Sequence, residues 1–251
     1  MKITFLGQCG FLIEYHEHRI VIDPYLSDFL NVNMSNSEVC WKREFPVPTT
    51  LTALNPTIVL LSHMHYDHLD PWTIGPYVQD GGQALFVGPF STEERLNAQS
   101  VQNVLFVDEG TDLKSVPINV IPCAHPVFHR DENGHYKELS YVIGSGKERI
   151  FFGGDMMVYP GLAERVRKMN CTIALLPCNG RDAWRDAHNI TGNTTAEEAA
   201  VFAHDIGVSA FIPMHHDLFH INSCSEENIK NTAKKAGVGV FPLKVMESIE
   251  L

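Results

Sequence analysis

The chain has little that would serve a membrane, a disulfide-stapled scaffold or a nucleic-acid surface. No apolar run approaches the length that crosses a bilayer, and Met1-Lys2-Ile3-Thr4-Phe5-Leu6 is too short a run before Gly7 and Gln8 for a secretory signal. A cytoplasmic protein with no membrane partner is expected. The 6 cysteines (Cys9, Cys40, Cys123, Cys171, Cys178, Cys224) contain no C-x-x-C pair and are scattered through 251 residues, so they read as free thiols. Basic side chains are scarce, 19 against 30 acidic ones, and the formal net charge of -11 argues against a partner such as nucleic acid. No repeat, low-complexity tract or linker is visible, and a composition that is 44% hydrophobic can bury a sizeable core, so residues 1–251 are read as one domain. What the chain has in quantity is histidine, at 13.

Hydrophobic patterning places strands at Ile3–Leu6, Phe11–Glu14 and Arg19–Ile22, an antiparallel meander ending at Asp23-Pro24. Ser27 to Thr50 shows little periodicity and reads as a long loop, able to form a wall of a site. Thr57–Leu61 has the unbroken apolar character of a buried strand. Asp70-Pro71 then suits a helix start, with Asp70 as cap and a helix through Tyr77. Further strands are expected at Ala84–Val87, Val104–Val107, Asn119–Cys123, Ser140–Ile143, Arg149–Phe152, Thr172–Leu176 and Ala210–Pro213, with helices at Ser91–Ala98, Pro160–Lys168, Thr195–His204 and Ser225–Ala236. This pattern suits an α/β protein, either an αββα sandwich or a doubly wound sheet, and periodicity does not choose between them.

Ser62-His63-Met64-His65-Tyr66-Asp67-His68 follows the buried strand directly, so four possible ligands share one strand-to-loop edge. Imidazole and carboxylate together suit zinc, manganese or iron, and one ion cannot use all four comfortably. Two divalent metal ions sharing the ligands is the natural solution. Three more candidates sit at strand ends: His125 after Ile121-Pro122-Cys123, Asp155 after Phe151-Phe152-Gly153-Gly154, and His215 or His216 after Phe211-Ile212-Pro213-Met214. Asp23, ending its own strand, can orient a ligand histidine through the ring nitrogen turned away from the metal. His16, His18, His129, His135, His204 and His220 fall in turns or on helix faces and read as solvated or structural.

The pattern His-x-His-x-Asp-His after an apolar strand resembles the metallo-β-lactamase superfamily. That resemblance implies the αββα sandwich, one metal on His63, His65 and His125, a second on Asp67, His68 and His215, and Asp155 bridging them. It also favours His215 over His216 as the last ligand. A hydrolase that attacks with a metal-bound hydroxide follows, with Asp67 positioning the nucleophile and His216 or His188 supplying a proton to the leaving oxygen.

A narrower similarity is to the L-ascorbate-6-phosphate lactonases, carried by Leu6-Gly7-Gln8-Cys9-Gly10-Phe11-Leu12-Ile13, by Ile22-Asp23-Pro24-Tyr25-Leu26-Ser27-Asp28, by the histidine motif with Leu69-Asp70-Pro71-Trp72-Thr73, and by Asn179-Gly180-Arg181-Asp182-Ala183-Trp184-Arg185 with Asn189-Ile190-Thr191-Gly192-Asn193-Thr194-Thr195. It implies a small anionic substrate, a phosphorylated sugar-acid lactone, and an oligomer. Asn179, Arg181, Asp182 and Arg185 are the candidate substrate residues, an arginine holding phosphate or carboxylate through paired donors. Two rivals stand: a phosphodiesterase on the same fold, and a metal-binding protein that turns nothing over.

Overall fold

The computed structural model describes residues 1–111, 113 and 117–251. One sheet is built from β1 (Lys2–Gly7), β2 (Gly10–Tyr15), β3 (His18–Ile22), β4 (Ile58–Leu60), β5 (Leu85–Gly88) and β6 (Val104–Phe106). The other is built from β7 (Ile118–Pro122), β8 (Leu139–Ser145), β9 (Glu148–Phe152), β10 (Ile173–Pro177), β11 (Ala210–Met214) and β12 (Gly239–Val240). A last strand, β13 (Ser248–Glu250), returns to pair with β1, giving seven strands in the order β13-β1-β2-β3-β4-β5-β6 facing six in the order β12-β11-β10-β9-β8-β7. Each sheet joins an antiparallel half to a parallel half.

The helices are α1 (Phe29–Met34), α2 (Leu51–Leu54), α3 (Pro71–Gln79), α4 (Glu93–Ala98), α5 (Leu162–Arg167), α6 (Ala183–Ala187), α7 (Ala196–Ile206) and α8 (Glu226–Ala236). Strand side chains alternate between faces, and here both faces are apolar. Ile3, Phe5, Phe11 and Ile22 meet Tyr141, Ile150, Phe152 and Leu175 between the sheets. Leu6, Val21, Val59 and Leu61 turn outward onto Leu51 and Leu54 of α2, Ile74 of α3 and Leu96 of α4. On the opposite side Val142, Phe151, Ala174 and Phe211 turn outward onto Val166 of α5, Phe202 of α7 and Ile229 of α8. Two sheets packed together with helices on both outer faces make the αββα sandwich.

Local chemistry sets the boundaries that matter. Asp70 caps α3 by accepting from the Trp72 N–H, with Pro71 at the first helical position. Thr195 and Glu198 close a capping box at the start of α7. The expected strands and main helices lie within two residues of those observed. The expected Ser27–Thr50 loop contains α1, and the stretch before α7 contains α6; both are too short to show a helical repeat. The sequence pattern also passed over β12 and β13, strands of two and three residues whose pairing comes from the neighbouring strand rather than from their own periodicity.

Candidate metal centre

Strands β3, β4, β7, β9 and β11 all end at one edge of the sandwich, and their carboxyl ends deliver Asp23, the Ser62–His68 loop, His125, Asp155 and His215. The turn between β1 and β2 brings Gln8 and Cys9 to the same edge. Gln8, Asp23 and His215 are non-glycine residues in the left-handed region, at φ of 55°, 41° and 55°. Such conformations persist where surrounding structure holds them, and they gather at functional sites. Gly154 takes φ of +61°, and an added Cβ would meet the Leu139 carbonyl oxygen at 3.2 Å; this backbone aims Asp155 into the cluster.

The side chains form two groups whose donor atoms lie within 4.8 Å of one another: His63, His65 and His125, and Cys9, His68, Asp155 and His215. Asp67 stands beside the second group, its Oδ2 3.3 Å from His215 Nε2 and 3.6 Å from His68 Nε2. Asp155 faces both groups, with Oδ1 3.3 Å from His68 Nε2 and Oδ2 3.8 Å from His125 Nε2. Donors bound tetrahedrally at about 2.0–2.2 Å stand about 3.3–3.6 Å apart, so the separations around His68 and His215 fit a shared cation, and that to His125, at 3.8 Å, is slightly wider.

Hydrogen bonding points the same way. The Asp23 carboxylate accepts from the Ser62 N–H at 2.7 Å and the Ser62 hydroxyl at 2.5 Å, and its Oδ2 lies 2.8 Å from His68 Nδ1. That pairing puts the His68 proton on Nδ1 and leaves Nε2, buried and without a hydrogen-bond partner, aimed at the cluster. Both ring nitrogens of His125 are likewise buried without a partner. Buried polar atoms left unpaired are expensive, and a divalent cation would satisfy His68 Nε2 and one of the two His125 nitrogens.

Charge completes the picture. Burial, reinforced by the neighbouring His68 and His65, drives His63 well below the usual imidazole range. Burial lowers His125 to about 4. Burial acts downward on His68 too, yet the carboxylates of Asp155, Asp67 and Asp23 outweigh it and hold the ring well above its ordinary value. His215 behaves alike, burial being overcome by Asp155 and Asp67 to reach about 9. For Asp67 and Asp155, burial alone would raise the pKa, but the facing histidines His68 and His215 hold both below the usual carboxylate range. In the metal-free protein, protons on His68 and His215 thus supply positive charge that a divalent cation would otherwise provide.

A cleft of about 190 Å³ opens on the cluster, floored by His65, Asp67, His125, Asp155 and His215. Its walls are Leu30, Met34 and Trp41 on one side, from α1 and the loop after it, with Asn189, Ile190 and Thr191 from the stretch before α7. Tyr66 and Asn222 complete the lining. The wall loop is docked by a backbone bond from Glu44 N–H to Leu218 O and by Tyr25, Leu30, Leu218 and Phe219 packing together.

The expected substrate residues are engaged elsewhere. Arg181 makes paired bonds to both carboxylate oxygens of Glu198, each 2.7 Å. Asp182 caps α6 and accepts from Arg185 Nε at 2.7 Å, while Arg185 Nη1 donates to the carbonyls of Asn179 and Gly180 and to Asn222 Oδ1. Asn179 donates to Asn222 Oδ1 at 2.9 Å, so this polar group braces one cleft residue from behind. His188 stacks on Trp184, with Nδ1 2.7 Å from the Trp184 carbonyl, and His216 lines a separate cavity with Glu44, Asp217 and Lys244. Gln8 and Cys9 fell within the lactonase-like segment, and Cys9 among the free thiols, but neither was expected at the site. Their signal was topological: a β1–β2 turn must lie at the edge where β3 ends in Asp23.

Comparison with known proteins agrees with this architecture. Residues 18–216 match the family model described as the β-lactamase superfamily domain, and the chain belongs to that family: it is a metal-dependent hydrolase of the metallo-β-lactamase superfamily. A metal-dependent hydrolase of Nanoarchaeum equitans is 22% identical over the full length of both chains. The N-acyl-phosphatidylethanolamine-hydrolyzing phospholipase D of Saccharomyces cerevisiae is 29% identical over 70% of this chain and 39% of its own. Among solved structures, a metallo hydrolase from the archaeon Ignicoccus hospitalis superposes with a TM-score of 0.72 at 18% identity, covering 99% of this chain and 97% of that one. Among the described residues no helix is long and apolar enough to cross a membrane.

Proposed function

We propose that the chain opens a small lactone or ester at a dinuclear centre, with one metal on His63, His65 and His125, the other on Asp67, His68 and His215, and Asp155 between them. The observation that carries this reading is the convergence of the two donor groups on the floor of one cleft. Zinc, manganese and iron all suit the donors. When bound, such metals polarise a carbonyl oxygen and bring a water to the nucleophilic state near neutral pH.

The chain's own groups supply the rest. Asp67 sits at the cleft floor and stays ionised, so it can orient an attacking water by accepting its hydrogen bond. The Leu30, Met34, Trp41 and Ile190 walls exclude water from an apolar flank of the substrate. Tyr66 lines the same space and takes the role of proton donor to the leaving oxygen in this scheme, in place of His188 and His216. Among the described residues no lysine or arginine lines the cleft. An unphosphorylated lactone therefore suits the lining better than a phosphorylated sugar acid such as L-ascorbate 6-phosphate, which would have only the metals as counter-charge.

A second reading, hydrolysis of a small phosphodiester, is favoured by the similarity to the yeast phospholipase D, since paired metals also stabilise in-line displacement. The deciding experiment assays metal-analysed protein on short-chain lactones, L-ascorbate 6-phosphate lactone and a bis-aryl phosphodiester. Turnover of lactones that is lost together with metal in Asp155→Ala supports the proposal. Turnover of the phosphodiester alone replaces it with the second reading, and full lactone turnover by metal-free protein overturns it.

A further inference from the structure

We propose that Cys9 is a thiolate ligand of the second metal, joining His68, Asp155 and His215 beside Asp67 and biasing that position toward zinc over manganese. The inference rests on the dinuclear reading above and adds a donor to it. Cys9 is fully buried, and its Sγ lies 3.7 Å from Asp155 Oδ1, with the four donor atoms all within 4.8 Å of one another. Sulfur at about 2.3 Å and oxygen at about 2.0–2.2 Å from one tetrahedral metal stand about 3.5–3.7 Å apart, the observed separation.

Two independent features point to a ligand here. His68 Nε2, on a side chain with no exposure, has no hydrogen-bond partner and faces the same Asp155 oxygen at 3.3 Å. The Cys9 thiol also differs from the buried thiols of Cys123 and Cys178, which donate to the backbone carbonyls of Gly153 and Leu176. Among the described residues its only side-chain hydrogen-bond partner is the Asp155 carboxylate. Coordination resolves the arrangement: the S–H bond breaks, its proton passes to solvent, and the sulfur lone pair forms the metal bond.

Selectivity follows from softness. Carboxylate and imidazole bind manganese acceptably, whereas a thiolate strongly favours zinc, cobalt or iron over manganese. A serine at position 9 keeps a small polar group of similar shape and removes that preference.

The test strips the full chain with chelator, reloads it with cobalt(II), counts cobalt per chain and records the near-ultraviolet spectrum of wild type and Cys9→Ser. Two cobalt ions, with a sulfur-to-cobalt charge-transfer band present in wild type and absent in the variant, support the proposal. So does a fall of more than about tenfold in the zinc-to-manganese preference of the second position. Two cobalt ions without the band, or a band that survives in Cys9→Ser, overturn the role of Cys9 and leave the dinuclear centre standing. Failure to bind cobalt overturns the centre and the Cys9 assignment together. If the variant does not fold, zinc-edge X-ray absorption on wild type decides the matter: a sulfur scatterer at about 2.3 Å supports the assignment and its absence refutes it.

Discussion

Asp23→Asn separates orientation of a ligand from the ligand itself. Asp23 is fully buried, and its carboxylate holds Ser62 at the backbone N–H and the hydroxyl while facing His68 Nδ1. Asparagine tolerates the left-handed backbone at this position and preserves the acceptor to the Ser62 N–H. Its amide nitrogen then occupies the place of Oδ2, 2.8 Å from His68 Nδ1, and donates where a carboxylate accepted. The His68 proton is forced onto Nε2, the atom aimed at Asp155, where it blocks coordination. Disturbing such a partner weakens metal binding about 10- to 100-fold, or about 1.4–2.7 kcal/mol. Asp23→Ala is less informative. It strands the Ser62 N–H, the Ser62 hydroxyl and the His68 ring N–H in a fully buried place, at about 1–3 kcal/mol each, which approaches the whole stability of a domain. The measurement is competitive chelator titration with elemental analysis, alongside thermal unfolding of the metal-free form. A folded Asp23→Asn protein that holds its second metal with wild-type affinity would refute the reasoning.

Further outcomes follow from the same geometry. Arg181→Ala should lower stability by less than about 1 kcal/mol and leave kcat/KM on lactones unchanged, because its Glu198 pair is more than a third exposed and screened by water. Arg185→Ala should lose about 1–3 kcal/mol in chemical unfolding, since it strands the Asn179 carbonyl, whereas the Gly180 carbonyl and Asn222 Oδ1 keep bonds from the Asn193 N–H and the Asn179 amide; equal losses in the two variants would contradict the assigned contacts. Metal-free protein should be most stable near pH 6.5. Between about pH 6.5 and 4 the unfolded chain binds protons that buried His63 and His125 refuse, so stability falls with acid, by about 3 kcal/mol for His125 alone. From about pH 6.5 upward the raised His68 and His215 hold protons the unfolded chain releases, so their contribution is lost as pH climbs through about 9. Thermal unfolding across that range checks both limbs, and a stability that rose steadily from pH 6.5 to 9 would remove the assigned charges on His68 and His215.

The parts legible in the sequence were those in which a local pattern and a chemical need coincide. The buried strand running into Ser62 and the ligand types at positions 63, 65, 67 and 68 announce the site because few structural roles require that spacing. Strand ends could be read as well, since apolar runs stop where the chain leaves the sheet, and so His125, Asp155 and His215 could be named one by one. What stayed hidden depends on partners distant in sequence. Arg181 and Arg185 look like anion binders until Glu198 and Asn222 are seen to occupy them. Cys9 is a free thiol as expected, but only the β1–β2 turn reveals that it faces Asp155, 146 positions away. The short strand β13 carries no periodicity of its own, and it exists because β1 offers an edge.

The placement of the candidate ligands also bears on how the sandwich is held together. His63, His65, Asp67 and His68 come from the loop after β4 in the seven-stranded sheet, whereas His125, Asp155 and His215 follow β7, β9 and β11 in the six-stranded one. At this edge the sheets are already tied by Leu139 N–H to Ser62 O at 2.9 Å, by the Tyr141 hydroxyl to Leu61 O at 2.7 Å and by His215 N–H to Gln8 O at 2.8 Å. These bonds fix the separation between the two ligand sets before any metal arrives, so the donors are brought together by the fold rather than by the ion. Each donor group then draws from both sheets: His125 joins His63 and His65, and Asp155 with His215 joins His68. A metal bound by either donor group would therefore cross-link the sheets, and its binding free energy would add to folding, about 4 kcal/mol for an ion present at a thousand times its dissociation constant. The candidate donors therefore lie where the two sheets are already held together, at the edge that also holds Gln8, Asp23 and His215 in the left-handed region.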